Sequence, residues 1–140
     1  MFTNISLAGA ISLLLLFPTK EADQILGTYW SPTKNGKIEV YRRDSRYYGK
    51  FVWSAHPRQD TENPDPALRD RELLGLEFLK DFVFDGDDTW ESGTIYDPES
   101  GKTYQCTMWL EESGQELKVR GYVGISLFGR TETFVRVQNE

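Results

Sequence analysis

Apolar and polar residues alternate along most of the chain after residue 25. In residues 37–43, Ile38 and Val40 share one face, and in residues 103–110 Tyr104, Cys106 and Met108 do the same. A period of two is typical of β-strands that bury one face. The pattern predicts about eight short strands, including residues 47–53, 76–84, 90–96, 116–122 and 130–137.

Short turn segments separate these strands. Residues 43–46 (RDSR), 85–88 (DGDD) and 97–101 (DPESG) carry the polar, glycine or proline residues that hairpins prefer. Because strands and helices do not alternate, a parallel sheet is not expected. An antiparallel meander packs as a sandwich or closes into a barrel, and closure removes the edge strands. We therefore predict an all-β fold, a closed or nearly closed antiparallel barrel of about eight strands.

One longer connection follows the third predicted strand. Residues 63–75 (NPDPALRDRELLG) contain two prolines, which a central strand would not accept. Asp65 can act as an N-cap with Pro66 at the first helical position. The segment therefore predicts one short helix of about two turns over residues 67–74, or an ordered loop in its place.

The same connection contains side chains that can bond the backbone of a sharp turn, namely Asn63, Asp65 and Arg69. They favour a structured lid or rim brace over one end of the barrel. A ligand-gating or partner-binding role is the alternative, because ordered polar loops on a rigid scaffold often carry function.

The N-terminus differs from the rest of the chain. Residues 5–17 (ISLAGAISLLLLF) form a run without charge that is too short to span a bilayer and matches the apolar core of a signal peptide. We expect residues 1–22 to be a signal peptide and residues 23–140 to be the exported barrel domain, in the periplasm or secreted, without an integral membrane span. Cleavage after Ala22 would leave Lys20 at the third position before the cleavage site, where signal peptides prefer a small residue. A cytoplasmic location is the alternative.

Charge and cysteine content limit the possible partners. A net charge of −6 disfavours nucleic acid. The single cysteine, Cys106, makes no internal disulfide, and its place on a strand predicts a core residue. The single histidine, His56, precedes a proline in a polar loop and is expected to be exposed.

Catalytic and metal-binding motifs are absent from the sequence. Asp85, Asp87 and Asp88 could hold calcium weakly, but turn chemistry explains them without an ion. We therefore predict no enzymatic activity, no metal and no cofactor. The alternative is an enzyme that uses a carboxylate pair near the rim. A carboxylate with a perturbed pKa beside Tyr96 or Tyr122 would support that alternative.

Several long motifs lie along the predicted strands and turns of the chain. They are residues 27–32 (GTYWSP), 36–41 (GKIEVY), 48–53 (YGKFVW), 63–69 (NPDPALR), 73–76 (LLGL), 93–104 (GTIYDPESGKTY) and 117–131 (LKVRGYVGISLFGRT). Together they resemble the bacterial family known as domain of unknown function 2147. The resemblance implies an exported bacterial protein with a lipocalin-like β-barrel, and it brings no established activity.

The lipocalin likeness implies a barrel-closing set of residues. Lipocalins carry Gly-x-Trp on the first strand, with an arginine from a late strand packed over the tryptophan. Here Gly27-Thr28-Tyr29 places a tyrosine at that position, and Trp30 follows. Arg136 is the first candidate for the covering arginine, and Arg120 is the second.

Two functional hypotheses follow. In the first, the barrel holds a small apolar or amphipathic molecule in a cavity. In the second, the barrel is filled, and the protein is a structural or interaction protein of the cell envelope that meets a protein partner through its surface loops. The alternation in residues 47–53 places Trp53 on the inward face with Tyr47 and Phe51. The candidate ligand-binding residues are Trp53, Tyr96, Arg120, Tyr122 and Arg130.

Overall fold

The alternating segments pair with their neighbours in chain order, and the last strand returns to the first. In the computed structural model, which describes residues 19–124 and 129–138, Tyr29 lies opposite Arg136 and Trp30 opposite Val135 across this seam. The predicted closed antiparallel barrel of eight strands is confirmed. Its elements are the 3₁₀ helices Ala22–Ile25 and Pro66–Leu68 and the strands β1 (Gly27–Trp30), β2 (Gly36–Arg43), β3 (Arg46–Ser54), β4 (Glu77–Phe84), β5 (Thr89–Asp97), β6 (Lys102–Glu111), β7 (Glu116–Tyr122) and β8 (Arg130–Arg136).

The connections fall alternately at the two ends of the barrel, because every neighbouring strand pair is antiparallel. At one end, which we call the closed end, short turns join β2 to β3, β4 to β5 and β6 to β7. The 3₁₀ helix Ala22–Ile25 leads into β1 at the same end. The opposite end, which we call the open end, contains the connections β1–β2, β3–β4 and β5–β6, and it is also where β7 ends and β8 begins.

The 3₁₀ helix Ala22–Ile25 seals the closed end. Ile25 is fully buried, and the indole Nε1 of Trp90 donates a hydrogen bond of 3.1 Å to the carbonyl oxygen of Ala22. The Tyr29 hydroxyl donates to the carbonyl oxygen of Ile25 at 2.8 Å, and burial raises the pKa of Tyr29 to about 12. This half of the barrel interior is packed by Ile25, Tyr29, Val40, Tyr47, Phe82, Trp90, Met108 and Leu117.

Arg136 ties the seam between β1 and β8 to the sealing helix. Its guanidinium carbon lies 4.8 Å from the centroid of the Tyr29 ring. Its nitrogens donate to the carbonyl oxygens of Leu26, Gln24 and Gly114 at 2.8, 2.9 and 3.0 Å. Gly27 makes room for this arrangement, because a Cβ at that position would lie 2.6 Å from Nη1 of Arg136.

Two other residues considered for barrel closure, Trp30 and Arg120, lie outside this cluster. Trp30 is half-buried on the outer face of β1, with Lys37 Nζ 4.5 Å from its ring centroid, whereas the neighbouring Tyr29 is buried in the interior. Arg120, the second candidate for the covering arginine, instead donates to Thr131 Oγ1 at 3.1 Å across the β7–β8 pair. Of the two β1 rings considered for barrel closure, Tyr29 is therefore the one that Arg136 covers.

The short helix or ordered loop expected after the third strand is present, but its helical part is shorter than the two turns expected over residues 67–74. Asp65 does cap a helix, because its side chain accepts a hydrogen bond from the Ala67 amide, but that helix is only the 3₁₀ turn Pro66–Leu68. After this turn the chain is extended, and Glu72 forms an antiparallel β-bridge with Gln59. The competing pairing ends the helix early.

The inward orientation expected for Trp53 is wrong. The pairing of β2 with β3 shifts between Lys37 and Ile38, so that Ile38 faces Phe51 and Lys37 faces Trp53. Val52 is the extra residue, and this bulge turns Trp53 to the outer wall, where it is 43% exposed. Its ring meets that of Trp30 edge-on at 6.1 Å.

Among the residues that the structure describes, no helix has the length and apolar character needed to cross a membrane.

Candidate functional site

The longest connection, residues 55–76 between β3 and β4, forms an ordered strap at the open end. Its two arms pair with each other: the Asp60 amide donates to the Arg71 carbonyl oxygen at 2.9 Å, and the Leu73 amide donates to that of Arg58 at 3.0 Å. The strap also rests on the β5–β6 turn, where a Cβ on Gly101 would collide with the Glu62 carbonyl oxygen. The strap is therefore fixed both by the pairing of its own arms and by its contact with the β5–β6 turn.

A fully buried carboxylate, Asp60, fastens the strap to the barrel. It accepts hydrogen bonds from the Tyr96 hydroxyl at 2.6 Å, from Asn63 Nδ2 at 2.9 Å and from Arg71 Nε at 2.9 Å. Burial by itself raises the pKa of Asp60, but the bonds from Tyr96, Asn63 and Arg71 outweigh it, and the pKa is lowered. Asp60 is therefore an ionised, fully partnered group and is poorly suited to proton transfer.

The three predicted loop residues lie together inside this strap. Asn63 is buried, and its Oδ1 accepts a bond from the Asp65 amide at 2.8 Å. Arg69 Nε donates to the Asn63 carbonyl oxygen at 2.7 Å. The sequence reasoning missed Asp60, which joins this group to β5 through Tyr96. No local signal marks Asp60, because its partners are spread from residue 63 to residue 96.

Two adjoining cavities lie at the open end, and strap residues line only the larger of them. The smaller has a volume of about 420 Å³, and its apolar wall includes Phe51, Phe78, Ile95, Tyr104 and Val119. The Phe51 and Phe78 rings stack at a centroid distance of 4.1 Å. The apolar wall of the larger, about 600 Å³, includes Ile38, Phe51, Leu73, Leu74 and Phe134.

The two cavities meet at an ion pair. Phe51, Pro98, Arg130 and Glu132 line both of them. Arg130 Nη2 lies 2.8 Å from Glu132 Oε1. Glu132 faces inward because it pairs with the buried Val119, and Arg130 pairs with Gly121 one step nearer the open end. The ion pair is therefore at the mouth, above apolar walls.

The predicted ligand-binding residues divide between the mouth and the outer wall. Arg130 lines both cavities, Tyr96 and Tyr122 line the smaller, and Trp53 lines the edge of the larger while its ring packs outside. Arg120 is not among the described residues that line either cavity. It shares the outer wall with its partner Thr131, since the neighbouring Val119 faces inward.

Glu132 and the rings of Phe51, Phe78 and Tyr104 were missed as site residues. The signal for Glu132 was present in the sequence, because alternation from the apolar Phe134 places Glu132 and Arg130 on the same face of β8. For Phe51, the predicted inward face was correct, and its place in the cavity follows from the strand register.

Comparison with known proteins agrees with this architecture. The family described as "Uncharacterized protein conserved in bacteria (DUF2147)" matches residues 27–136, which is most of the chain. The chain belongs to this family. The resemblance inferred from the sequence motifs is thereby confirmed.

A solved structure with a similar fold is reported as "Protein HP1028 from the human pathogen Helicobacter pylori belongs to the lipocalin family". It is 23% identical to the chain, with a TM-score of 0.74, and the match covers 82% of this chain and 84% of that one. At this identity the likeness establishes a lipocalin-like fold. No curated protein matches the chain.

The thiol of this DUF2147 barrel is poorly suited to nucleophilic chemistry. Cys106 is buried in the core, and burial raises its pKa to about 12. His56 is exposed on the strap and lines the larger cavity. The part of the chain that the structure describes contains no group of three or more His, Cys, Asp or Glu side chains placed to hold a metal ion.

Proposed function

We propose that this DUF2147 protein binds a small apolar or amphipathic molecule in the open half of its barrel. The observation that carries the proposal is the contrast between the two halves of the interior. The closed half is packed with large side chains, whereas the open half contains cavities of about 420 and 600 Å³. Cavities of this size that are partly lined by apolar and aromatic side chains are typical of small-ligand sites.

The polarity of the site favours a ligand with one polar end. Apolar side chains such as Ile95 and Val119 line the deeper wall of the smaller cavity, and the Arg130–Glu132 pair lies at the mouth. Burial of an apolar chain against the deeper wall supplies the main driving force. A polar group would remain near the charged side chains and the solvent.

The strap supports this function as a rim brace. Its connection to β5 through Asp60 and Tyr96 keeps the cavity mouth in one shape. A site that exists before the ligand arrives loses less entropy on binding. Asn63, Asp65 and Arg69 act in this proposal by ordering the strap.

The alternative is a filled barrel that acts through its surface. The cavities between the described residues favour the binding protein over this alternative, because a filled barrel leaves no interior space of such volume. The two hypotheses differ in a single observable, the presence of a bound small molecule.

Native mass spectrometry of protein purified without detergent tests the proposal. We expect a bound species that is lost on denaturation, and its mass would define the ligand class. A ligand-free mass in repeated preparations, together with no uptake of added apolar probes such as decanol, would contradict the proposal.

A cavity-filling variant makes the test specific to the site. Ile95 lines the smaller cavity, so Ile95→Trp is expected to occupy that space and to lower decanol affinity by at least about tenfold. Thr94→Trp is the matched control, because Thr94 is next to Ile95 on β5 and its side chain points to the opposite face. Equal affinities in the two variants would place the ligand elsewhere.

We also propose that the protein is exported and that its N-terminal leader is removed. The apolar run of residues 5–17 supports this proposal. The contacts of Ala22 favour a cut upstream of it, since its carbonyl oxygen is the acceptor for Trp90. The intact mass of the protein from its native envelope gives the mature N-terminus directly.

A further inference from the structure

We propose that the smaller cavity selects amphiphiles with a positively charged head, such as a primary amine, through the inward carboxylate of Glu132. The inference rests on the proposed function, because it names the chemical class of the ligand for the same site. It follows from the charges on the cavity wall, from its aromatic rings and from the exposure of the competing arginine.

Negative charge exceeds positive charge on the wall of the smaller cavity. The charged residues that the structure places there are Asp97, Glu132 and Arg130. Asp97 is engaged with the β5–β6 turn, where its oxygens accept from the Glu99 amide at 2.9 Å and from Ser100 Oγ at 2.8 Å. Glu132 is thus the carboxylate available to a ligand, and Asp97 adds to the negative potential.

Glu132 is the more enclosed member of the ion pair at the mouth. Its side chain is 38% exposed, whereas that of Arg130 is 85% exposed. An exposed ion pair of this kind contributes little stability, so a ligand can replace Arg130 at small cost. A ligand ammonium that approaches from within the cavity would meet Glu132 first.

The aromatic walls of the cavity also favour a cation. Phe51, Phe78, Tyr104 and Tyr122 line the same space as Glu132. The faces of such rings attract ammonium groups when water is excluded. The net charge of −6 adds a weak long-range attraction for cations.

An anionic head is disfavoured by the same arrangement. A carboxylate placed at Arg130 would lie beside Glu132, which is 2.8 Å from the guanidinium, and near Asp97. Two carboxylates in one partly enclosed site repel each other. The geometry therefore distinguishes a cationic head from an anionic one even though an arginine is present.

Three probes with the same alkyl chain and different heads test the inference: decylamine, decan-1-ol and decanoate. Calorimetric titration at neutral pH, below the aggregation concentration of each probe, gives three affinities. We expect decylamine to bind at least about tenfold more tightly than decanol, because it adds a charge-assisted hydrogen bond, and decanoate to bind most weakly.

Two cavity variants separate the roles of the charged residues. Glu132→Gln is expected to lower decylamine affinity by about tenfold and to leave decanol affinity unchanged. Arg130→Gln is expected to raise decylamine affinity by about threefold, since it removes the competing cation. Glu91→Gln is the control, because Glu91 is exposed on β5 and the substitution changes the net charge equally. Thermal unfolding of each variant confirms that it is folded.

The outcomes distinguish the inference from the function on which it rests. Decanol binding without an amine preference, or an unchanged preference in Glu132→Gln, would overturn the inference and leave the binding function intact. Tightest binding by decanoate, lost in Arg130→Gln, would assign the site to anions instead. If none of the three probes binds, both proposals are wrong.

Discussion

A single buried carboxylate organises the open end of this barrel. Asp60 has no exposed surface, and its donors come from the strap and from β5. A buried charge is tolerated only when it is fully hydrogen-bonded, and here the Tyr96, Asn63 and Arg71 side chains fulfil that condition. The same residue therefore determines the shape of the cavity mouth and contributes to global stability.

Asp60→Asn is expected to destabilise the protein by about 3 kcal/mol, because it leaves Arg71 without its carboxylate and turns an amide donor toward another donor. Chemical denaturation at neutral pH measures this difference. Asp70→Asn is the control, since Asp70 is exposed on the same strap. A loss of less than about 1 kcal/mol would contradict the role assigned to Asp60.

The lowered pKa of Asp60 also predicts a pH dependence. A carboxyl whose pKa is lower in the folded state stabilises the protein fully above its unfolded pKa, about 3.9, and this contribution is lost as the pH falls through the folded pKa. Stability should therefore fall with acidification below about pH 5. In Asp60→Asn this part of the decline should be missing.

At the scale of elements, alternation and turn chemistry describe the strands well. The segment predicted at residues 37–43 is β2 (Gly36–Arg43), and that at residues 103–110 is β6 (Lys102–Glu111). The failures occur where pairing departs from regularity. The bulge at Val52 reverses the face of Trp53, and the pairing between Gln59 and Glu72 shortens the expected helix. A period of two cannot predict an extra residue, because register is set by the partner strand.

The 3₁₀ helix Ala22–Ile25 is expected to contribute measurably to stability. A chain that begins at Asp23 lacks the Ala22 carbonyl oxygen, so Trp90 Nε1 would face a terminal ammonium in its place. The unsatisfied buried donor should cost about 2 kcal/mol. Thermal unfolding of residues 19–140 and 23–140 measures the difference. A matching result for the two chains would show that the seal does not depend on Ala22.

At the scale of the whole molecule, the barrel combines a packed half with an open half. Sealing by the Ala22–Ile25 helix and packing around Tyr47, Phe82 and Trp90 stabilise one end. The other end can then retain cavities without loss of the fold. This division of roles is consistent with a rigid scaffold that carries a binding site at its rim.

Cys106 gives a probe of the whole barrel. Its thiol is buried and its pKa is raised to about 12 by burial, so a thiol reagent should modify it only when the barrel opens globally. Mass spectrometry after labelling should detect no modification in native buffer and complete modification in denaturant. Thr103→Cys provides the control, because Thr103 is exposed on the same strand. Rapid native labelling of Cys106 would indicate a barrel that opens locally.

The sequence by itself determined the strands, their antiparallel order, the turns and the Asp65 cap, because each depends on neighbours within a few residues. Its family motifs also identified the lipocalin-like barrel. The lipocalin likeness named Arg136 as the covering arginine, and the tertiary structure decided that the ring it covers is Tyr29. The tertiary structure alone decided that Asp60 fastens the strap and that Glu132 lines a cavity. These facts depend on contacts between residues far apart in the chain, and such contacts are fixed only when the barrel closes and the strand register is set.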